Sequence, residues 1–231
     1  MQSLKRRTIT PVCAYCGGGF DADHPRDSDH IPSKNLVLEH HRHNIQWVKI
    51  SSHKKCNNEF SSDEEFLRDR LALIAYDLSA SATALVITKI TRSMELTPWH
   101  AEALTNQFAV FNVFDSHEKQ VGQVGGMIFT ESDQRRIFHV LDKYIKGLFF
   151  HHFGQIISQE HTLKHFLMEP PPKERIIRAK KSLQLQRQWF DLVPGVFSYG
   201  YWRSSEKFRS IWITEFFEKT FLGSFIDAFR P

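Results

Sequence analysis

Cysteine is scarce in this chain and long apolar runs are missing, and each shortage narrows what the protein can be. The three cysteines cannot form a disulfide framework without leaving one over, and all of them fall between Cys13 and Cys56 of the 231 residues. Thiols bunched in one short segment suit a bound metal better than oxidation. No uncharged apolar stretch reaches the roughly 18 residues that a membrane-spanning helix needs. Basic residues open the chain, but no apolar segment follows them within Met1 to Thr10, so no secretory leader is expected. A cytoplasmic protein without a membrane partner is the expectation. Internal repeats and low-complexity tracts are also absent, which argues against a repeat array. Charge of one sign is limited too. A net charge of +4 and a pI near 8.9 would suit a polyanionic partner, but many proteins that never touch one share them.

What is present is enough for a packed core. Hydrophobic residues make up 41% and charged residues 24%, near globular averages, while aromatics at 13% include 20 Phe and imply an aromatic-rich interior. These residues are unevenly spread. Residues 11–62 are rich in His, Asp, Asn, Gly and Ser, with apolar runs only at Leu36-Val37-Leu38 and from Ile45 to Ile50. A segment so poor in core-forming side chains needs another source of stability.

From Ser62 the pattern becomes helical. Asp63, Glu64 and Glu65 suit a first turn, and Phe66, Leu67, Leu71, Ile74 and Leu78 follow at helix spacing. Residues 81–110 read as further helix, broken before Pro98. Val121 to Phe129 reads as a short strand whose Gly122, Gly125 and Gly126 match no phosphate-loop spacing. Between Glu131 and Phe150, the residues Ile137, Val140, Leu141, Tyr144, Ile145, Leu148 and Phe149 recur at i, i+3, i+4 and i+7, the clearest amphipathic helix in the chain. His151 and His152 at its end are expected to cap it as cations. Beyond Pro170-Pro171-Pro172 comes a basic run from Lys173 to Arg187, read as a solvated helical face with phosphate contact as the alternative. Val196 to Arg203 and Ser210 to Phe217 then predict an antiparallel hairpin, with one further strand near Phe221.

The cysteines sit in a recognisable spacing. Cys13-Ala-Tyr-Cys16 is followed by Gly17-Gly18-Gly19, and the matching half is His53-Lys-Lys-Cys56. Two thiolates on a tight glycine turn and an HxxC pair predict a closed tetrahedral Cys₃His zinc site, structural because no ligand position stays open. Another nearby histidine in place of His53 is the alternative.

Between the two halves lies Asp29-His30-Ile31-Pro32, then Asn44-Ile45, and directly after the second half come Asn57, Asn58 and the Ser61-Ser62-Asp63-Glu64 run. The order CxxC, DHIP, Asn-Ile, HxxCNN and SxDE resembles the zinc-bearing branch of the HNH endonuclease family, most specifically over residues 13–66. The family often has Cys at the position of His53, and residues 33–43 lack its usual Gly-rich turn. The resemblance implies a ββα-metal nuclease module at residues 1–66, in which two strands and a helix wrap one divalent ion. His30 matches the general base and Asp29 the metal ligand beside it. Asn44 matches the residue that braces the loop, and Asn57 a metal ligand on the helix. An imidazole titrates in the range a general base needs, and hard oxygen ligands such as Asp29 and Asn57 suit Mg²⁺ or Mn²⁺. His40, His41 and His43 read as solvated loop residues, with metal or phosphate contact as the alternative. Asn58 reads as a helix-start residue that could substitute for Asn57, and Asp63 and Glu64 as first-turn carboxylates that could also be linked to metal.

The expected fold is therefore α+β: an N-terminal ββα-metal module with one structural zinc, then a mainly helical domain at residues 67–231 ending in an antiparallel hairpin. The expected function is a divalent-metal-dependent endonuclease hydrolysing phosphodiester bonds in nucleic acid, with DNA favoured and a bacterial or phage defence or toxin-type effector as one setting for it. The alternative is a non-catalytic zinc-stapled nucleic-acid-binding module. Residues 67–231 are left a regulatory, substrate-binding or oligomerisation role.

Overall fold

A computed structural model describes residues 12–158, 160–167, 173–204 and 209–228. It is a mixed α+β fold. Strands β1 (Arg26–Ile31) and β2 (Val48–His53) form an antiparallel pair in which Asp29 faces Ile50 and His30 faces Lys49. Their connection carries two 3₁₀ turns, Lys34–Leu36 and Glu39–Asn44. Helix α1 (Lys54–Asn58) follows β2 directly, and α2 (Ser61–Ile74) follows α1. Leu78 lies beyond the end of α2.

The helical reading of 81–110 holds as far as Thr105. Helix α3 (Ala80–Leu85) runs through a π turn at Val86–Ile90 into α4 (Thr91–Leu96), and α5 (Pro98–Thr105) starts with Pro98 in its first turn. A proline there loses no helical hydrogen bond. Residues 108–110 instead begin β3 (Phe108–Phe114), which pairs with β4 (Gln120–Met127) as a separate two-stranded ribbon.

Helix α6 (Glu131–Phe153) organises the molecule. Thr130 and Asp133 form a reciprocal capping box at its start, and Gly154, at φ 63°, closes it in the left-handed conformation that glycine tolerates. All seven apolar residues of its predicted stripe are buried, none more than 1% exposed. Gly147 lies on the same buried face, against Ile31 of β1 and Ile50 of β2.

The C-terminal part holds more sheet than the sequence pattern implies. Strands β5 (His161–Leu167), β6 (Trp189–Val193), β7 (Phe197–Arg203), β8 (Ser210–Phe216) and β9 (Thr220–Ala228) form one antiparallel sheet in the order β5-β9-β8-β7-β6. The expected hairpin is β7-β8 and the expected further strand is β9, while β5 and β6 extend the sheet at its two edges. Helix α7 (Lys173–Leu185) carries the basic run. Its Lys180 pairs with Glu215 at 2.7 Å and its Arg178 with Glu174 at 3.5 Å. One buried cluster extends from Cys13 through Ile31, Ile50 and α6 to Trp212 and Ile226. Among the described residues, no helix is long and apolar enough to cross a membrane.

Candidate metal centre and buried polar cluster

The glycine turn brings the first two thiols together. Gly17 N–H donates to the Cys13 carbonyl at 2.8 Å and Cys13 N–H to that of Gly18 at 2.9 Å, with Gly17 at φ 76°. Gly18 lies so close to the His53 ring that a Cβ there would stand 3.1 Å from Cε1. His53 ends β2 and Cys56 sits in α1, so strand and helix deliver the second half.

The ligand atoms of Cys13, Cys16, His53 and Cys56 all lie within 4.8 Å of one another. His53 Nδ1 is 3.3 Å from Cys16 Sγ and 3.8 Å from Cys56 Sγ. Edges of this size match a tetrahedron with metal–ligand bonds of about 2.0–2.3 Å. His53 Nε2 is 2.9 Å from the Gly19 carbonyl, which can only accept. That bond places the ring proton on Nε2 and turns the Nδ1 lone pair toward the sulfurs, as an outer partner of a metal-bound histidine does. The residues fit one zinc ion, held by four donors with no fifth among the described residues, and His53 supplies the histidine. Without a cation, burial and the neighbouring sulfurs push the Cys56 thiol up to about 12. Cys13 is also pushed up by burial, but backbone amides, including His53 N–H at 3.4 Å, outweigh this and lower it.

Behind the zinc residues lies a second, buried cluster. Along β1, Asp27 and Asp29 alternate with Ser28 and His30, so the two carboxylates face α1 and α6. Asp29 is 6% exposed; its Oδ1 accepts its neighbour's His30 N–H at 2.7 Å, and its Oδ2 accepts from the Tyr15 hydroxyl. Asn57 donates from Nδ2 to Asp27 Oδ2 at 3.3 Å. Lys143 of α6, 1% exposed, brings its ammonium to Asp29 Oδ2 at 2.9 Å, Asn57 Oδ1 at 3.0 Å and Glu64 Oε1 at 2.5 Å. Glu64 also accepts from the Ser33 hydroxyl, which lies 2.8 Å from the Tyr144 hydroxyl. Burial pushes the Glu64 carboxyl up against the opposing pull of Lys143. Burial and the nearby carboxylates Asp29 and Glu64 likewise raise both Tyr15 and Tyr144.

Asp29 and Asn57 thus meet, but they meet around a lysine. The two oxygens that a divalent ion would need already accept from Nζ, so Mg²⁺ or Mn²⁺ does not fit between them in this arrangement.

The other expected site residues lie elsewhere. His30 takes the opposite face of the hairpin from Asp29, half-buried against Trp47 with ring centroids 5.9 Å apart. Burial, with Lys34 and Lys49 nearby, lowers its pKa and keeps the imidazole neutral at neutral pH. Asn44 is exposed at the end of its 3₁₀ turn. The loop is braced instead by Arg42 Nε on the Val37 carbonyl at 3.1 Å and Trp47 Nε1 on the Arg42 carbonyl at 3.3 Å. Asn58 is exposed, and so are His40, His41 and His43. Asp63 pairs with Arg136 at 2.6 Å and His139 at 2.9 Å. His152 is no cationic cap: burial lowers its pKa to about 4, and its Nε2 lies 2.6 Å from the Tyr199 hydroxyl among Phe190, Tyr201 and Trp212.

Sequence reasoning missed Tyr15, Ser33, Tyr144 and above all Lys143. The signal for Lys143 was its position, three residues after Val140 and four before Gly147, which places it on the apolar stripe of α6. No family model, curated protein or solved structure matches the chain.

Proposed function

We propose that the chain is a zinc-stapled phosphodiester hydrolase of the HNH type acting on nucleic acid, with DNA as its substrate. The resemblance over residues 13–66 supports this reading, including a ββα arrangement of β1, β2 and α1. The observation that carries it is His30, a half-buried neutral imidazole with the ammonium groups of Lys34 and Lys49 beside it on a hairpin whose end is tied by Cys₃His. An imidazole held neutral can take a proton from water, and two nearby lysines, Lys49 directly across the hairpin, would draw in a phosphate and offset the charge that builds on it. Water adds to phosphorus, the bond to the 3′ oxygen breaks, that oxygen takes a proton from solvent, and the products are a 5′ phosphate and a 3′ hydroxyl. His30 accepts the proton of the attacking water. Zinc, when bound, contributes stability rather than chemistry, and no step is routed through a divalent ion at Asp29 and Asn57.

A second reading, a nucleic-acid-binding module that does not cut, is favoured by one observation: Asp29 is buried and its carboxylate fully engaged. Relaxation of a supercoiled plasmid by wild type and His30→Ala separates the two. Loss of cleavage in His30→Ala, with zinc and folding intact, supports hydrolysis. Equal cleavage by both removes His30 from catalysis, and plasmid retention without cleavage by either favours the binding module.

A further inference from the structure

We propose that the ε-ammonium of Lys143 is the resident cation of the Asp29–Asn57 pair, and that the wild-type chain takes no divalent ion there. The inference concerns which cation the pair holds and does not depend on the chain cutting nucleic acid.

An ammonium group has three protons to donate and cannot accept. Lys143 Nζ has three acceptors: Glu64 Oε1 at 2.5 Å, Asp29 Oδ2 at 2.9 Å and Asn57 Oδ1 at 3.0 Å. Each comes from a different element, α2, β1 and α1 in turn, so the lysine of α6 joins the whole module. It cannot step aside as a surface lysine would. The side chain is 1% exposed, its ammonium lies 5.5 Å from the Phe60 ring centre, and its neighbours on α6 are packed.

A divalent ion bound to the same two oxygens would sit within a few ångströms of Nζ, where like charges in a poorly solvated interior repel strongly. It would have to expel the lysine or share the acceptors with it. Expelling it would break a buried ion pair and leave an ammonium without partners inside the core. The remaining oxygen of Asp29, Oδ1, already accepts the His30 amide, and an ion bound to it would still stand close to the ammonium held on Oδ2 of the same carboxylate. The pair has the residue types of a divalent site, but its cation is covalently part of the chain.

The test is Mn²⁺ binding to the zinc-loaded full chain, followed by electron paramagnetic resonance, with zinc content checked before and after. Wild type is expected to show no site that Asp29→Asn removes. Lys143→Ala, which vacates the position, is expected to gain one Mn²⁺ per chain with affinity at least about ten-fold above wild type, as a freed carboxylate and amide oxygen would supply. Adding Asp29→Asn to Lys143→Ala should abolish that gain. Stoichiometric Mn²⁺ in wild type that is lost in Asp29→Asn overturns the proposal. So does a folded Lys143→Ala that binds no better than wild type, since the lysine would then be closing nothing.

A second measurement avoids substitution at Lys143. In wild type labelled with ¹⁵N-lysine, one ammonium signal should exchange slowly with water and survive stoichiometric Mn²⁺ unbroadened. Its disappearance on adding Mn²⁺ would overturn the proposal whether or not Lys143→Ala folds.

Discussion

Gly147 lies where α6 crosses the zinc-tied hairpin, and replacing it by alanine measures how tightly the two are pressed together. A Cβ at this position would stand 2.2 Å from Ile31 Cδ1 and 2.6 Å from Ile50 Cδ1. Carbon atoms pack at about 3.5–4.0 Å, so the overlap exceeds an ångström. Both contacts are to the ends of side chains, which can rotate, but Ile31 is 0% and Ile50 4% exposed and the space to rotate into is filled. Overpacking of this kind costs about 1–3 kcal/mol, while alanine in mid-helix returns roughly 1 kcal/mol relative to glycine. Gly147→Ala should therefore be destabilised by up to about 2 kcal/mol in urea unfolding at unchanged m-value. Ile31→Val and Ile50→Val remove the two offending methyl groups and should each cost about 0.5–1.5 kcal/mol alone. Combined with Gly147→Ala they should cost clearly less than the sum, because the clash they relieve is absent. A Gly147→Ala protein stabilised by the helix-propensity gain, or strict additivity with both valines, would refute the close seating of α6 on the hairpin.

Three further outcomes are expected. Purified wild type should carry one zinc per chain by elemental analysis, and Cys56→Ala should lose it with a Tm lowered by about 10 °C or more; full zinc retention with normal Tm would remove Cys56 from the site. Stability should fall on acidification through His152: its folded pKa of about 4 lies below the ordinary 6.5, so below about pH 6.5 the unfolded chain takes a proton the folded chain refuses. The loss by pH 4, discounted for partial solvent screening, is on the order of 2 kcal/mol, and His152→Gln should unfold with a visibly flatter pH dependence between 6.5 and 4. Cleavage should likewise fade on acidification, with a midpoint below 6.5 because burial and Lys34 hold the folded His30 pKa down; Lys34→Ala should move that midpoint upward, and an unmoved midpoint would separate Lys34 from the base.

The parts of the fold legible in the sequence are those where one short-range pattern decides the outcome. The stripe on α6 repeats at the helical period over several turns, and the zinc residues are announced by two-residue spacers flanked by Gly17 and Gly18. β7 is marked by the alternating aromatics Phe197, Tyr199 and Tyr201. β5 escapes the sequence pattern because its partly buried face carries His165, whose polarity is satisfied only in the fold. There, His165 bonds Asp142 at 2.8 Å and Ser224 at 2.8 Å. β6 was hidden behind the basic run that precedes it.

The candidate site was legible to a similar extent. The motif pairs Asp29 with Asn57, and the fold does bring them together. What joins them is a lysine 86 residues from Asn57 along the chain, along with Tyr15, Ser33 and Tyr144, and no local spacing connects such remote groups. Motif order likewise assigned Asn44 to bracing the loop, whereas the backbone contacts of Arg42 and Trp47 do this. Strand alternation, a two-residue period, separates Asp29 from His30 although they are adjacent in sequence.

The most direct test of the proposed function is cleavage of matched single- and double-stranded oligonucleotides, DNA and RNA, by zinc-loaded wild type and His30→Ala, with the ends of the products identified. The account predicts DNA fragments bearing 5′ phosphates from wild type and none above background from a folded, zinc-containing His30→Ala. Equal fragments from both proteins, or no fragments from either on any substrate, would contradict it.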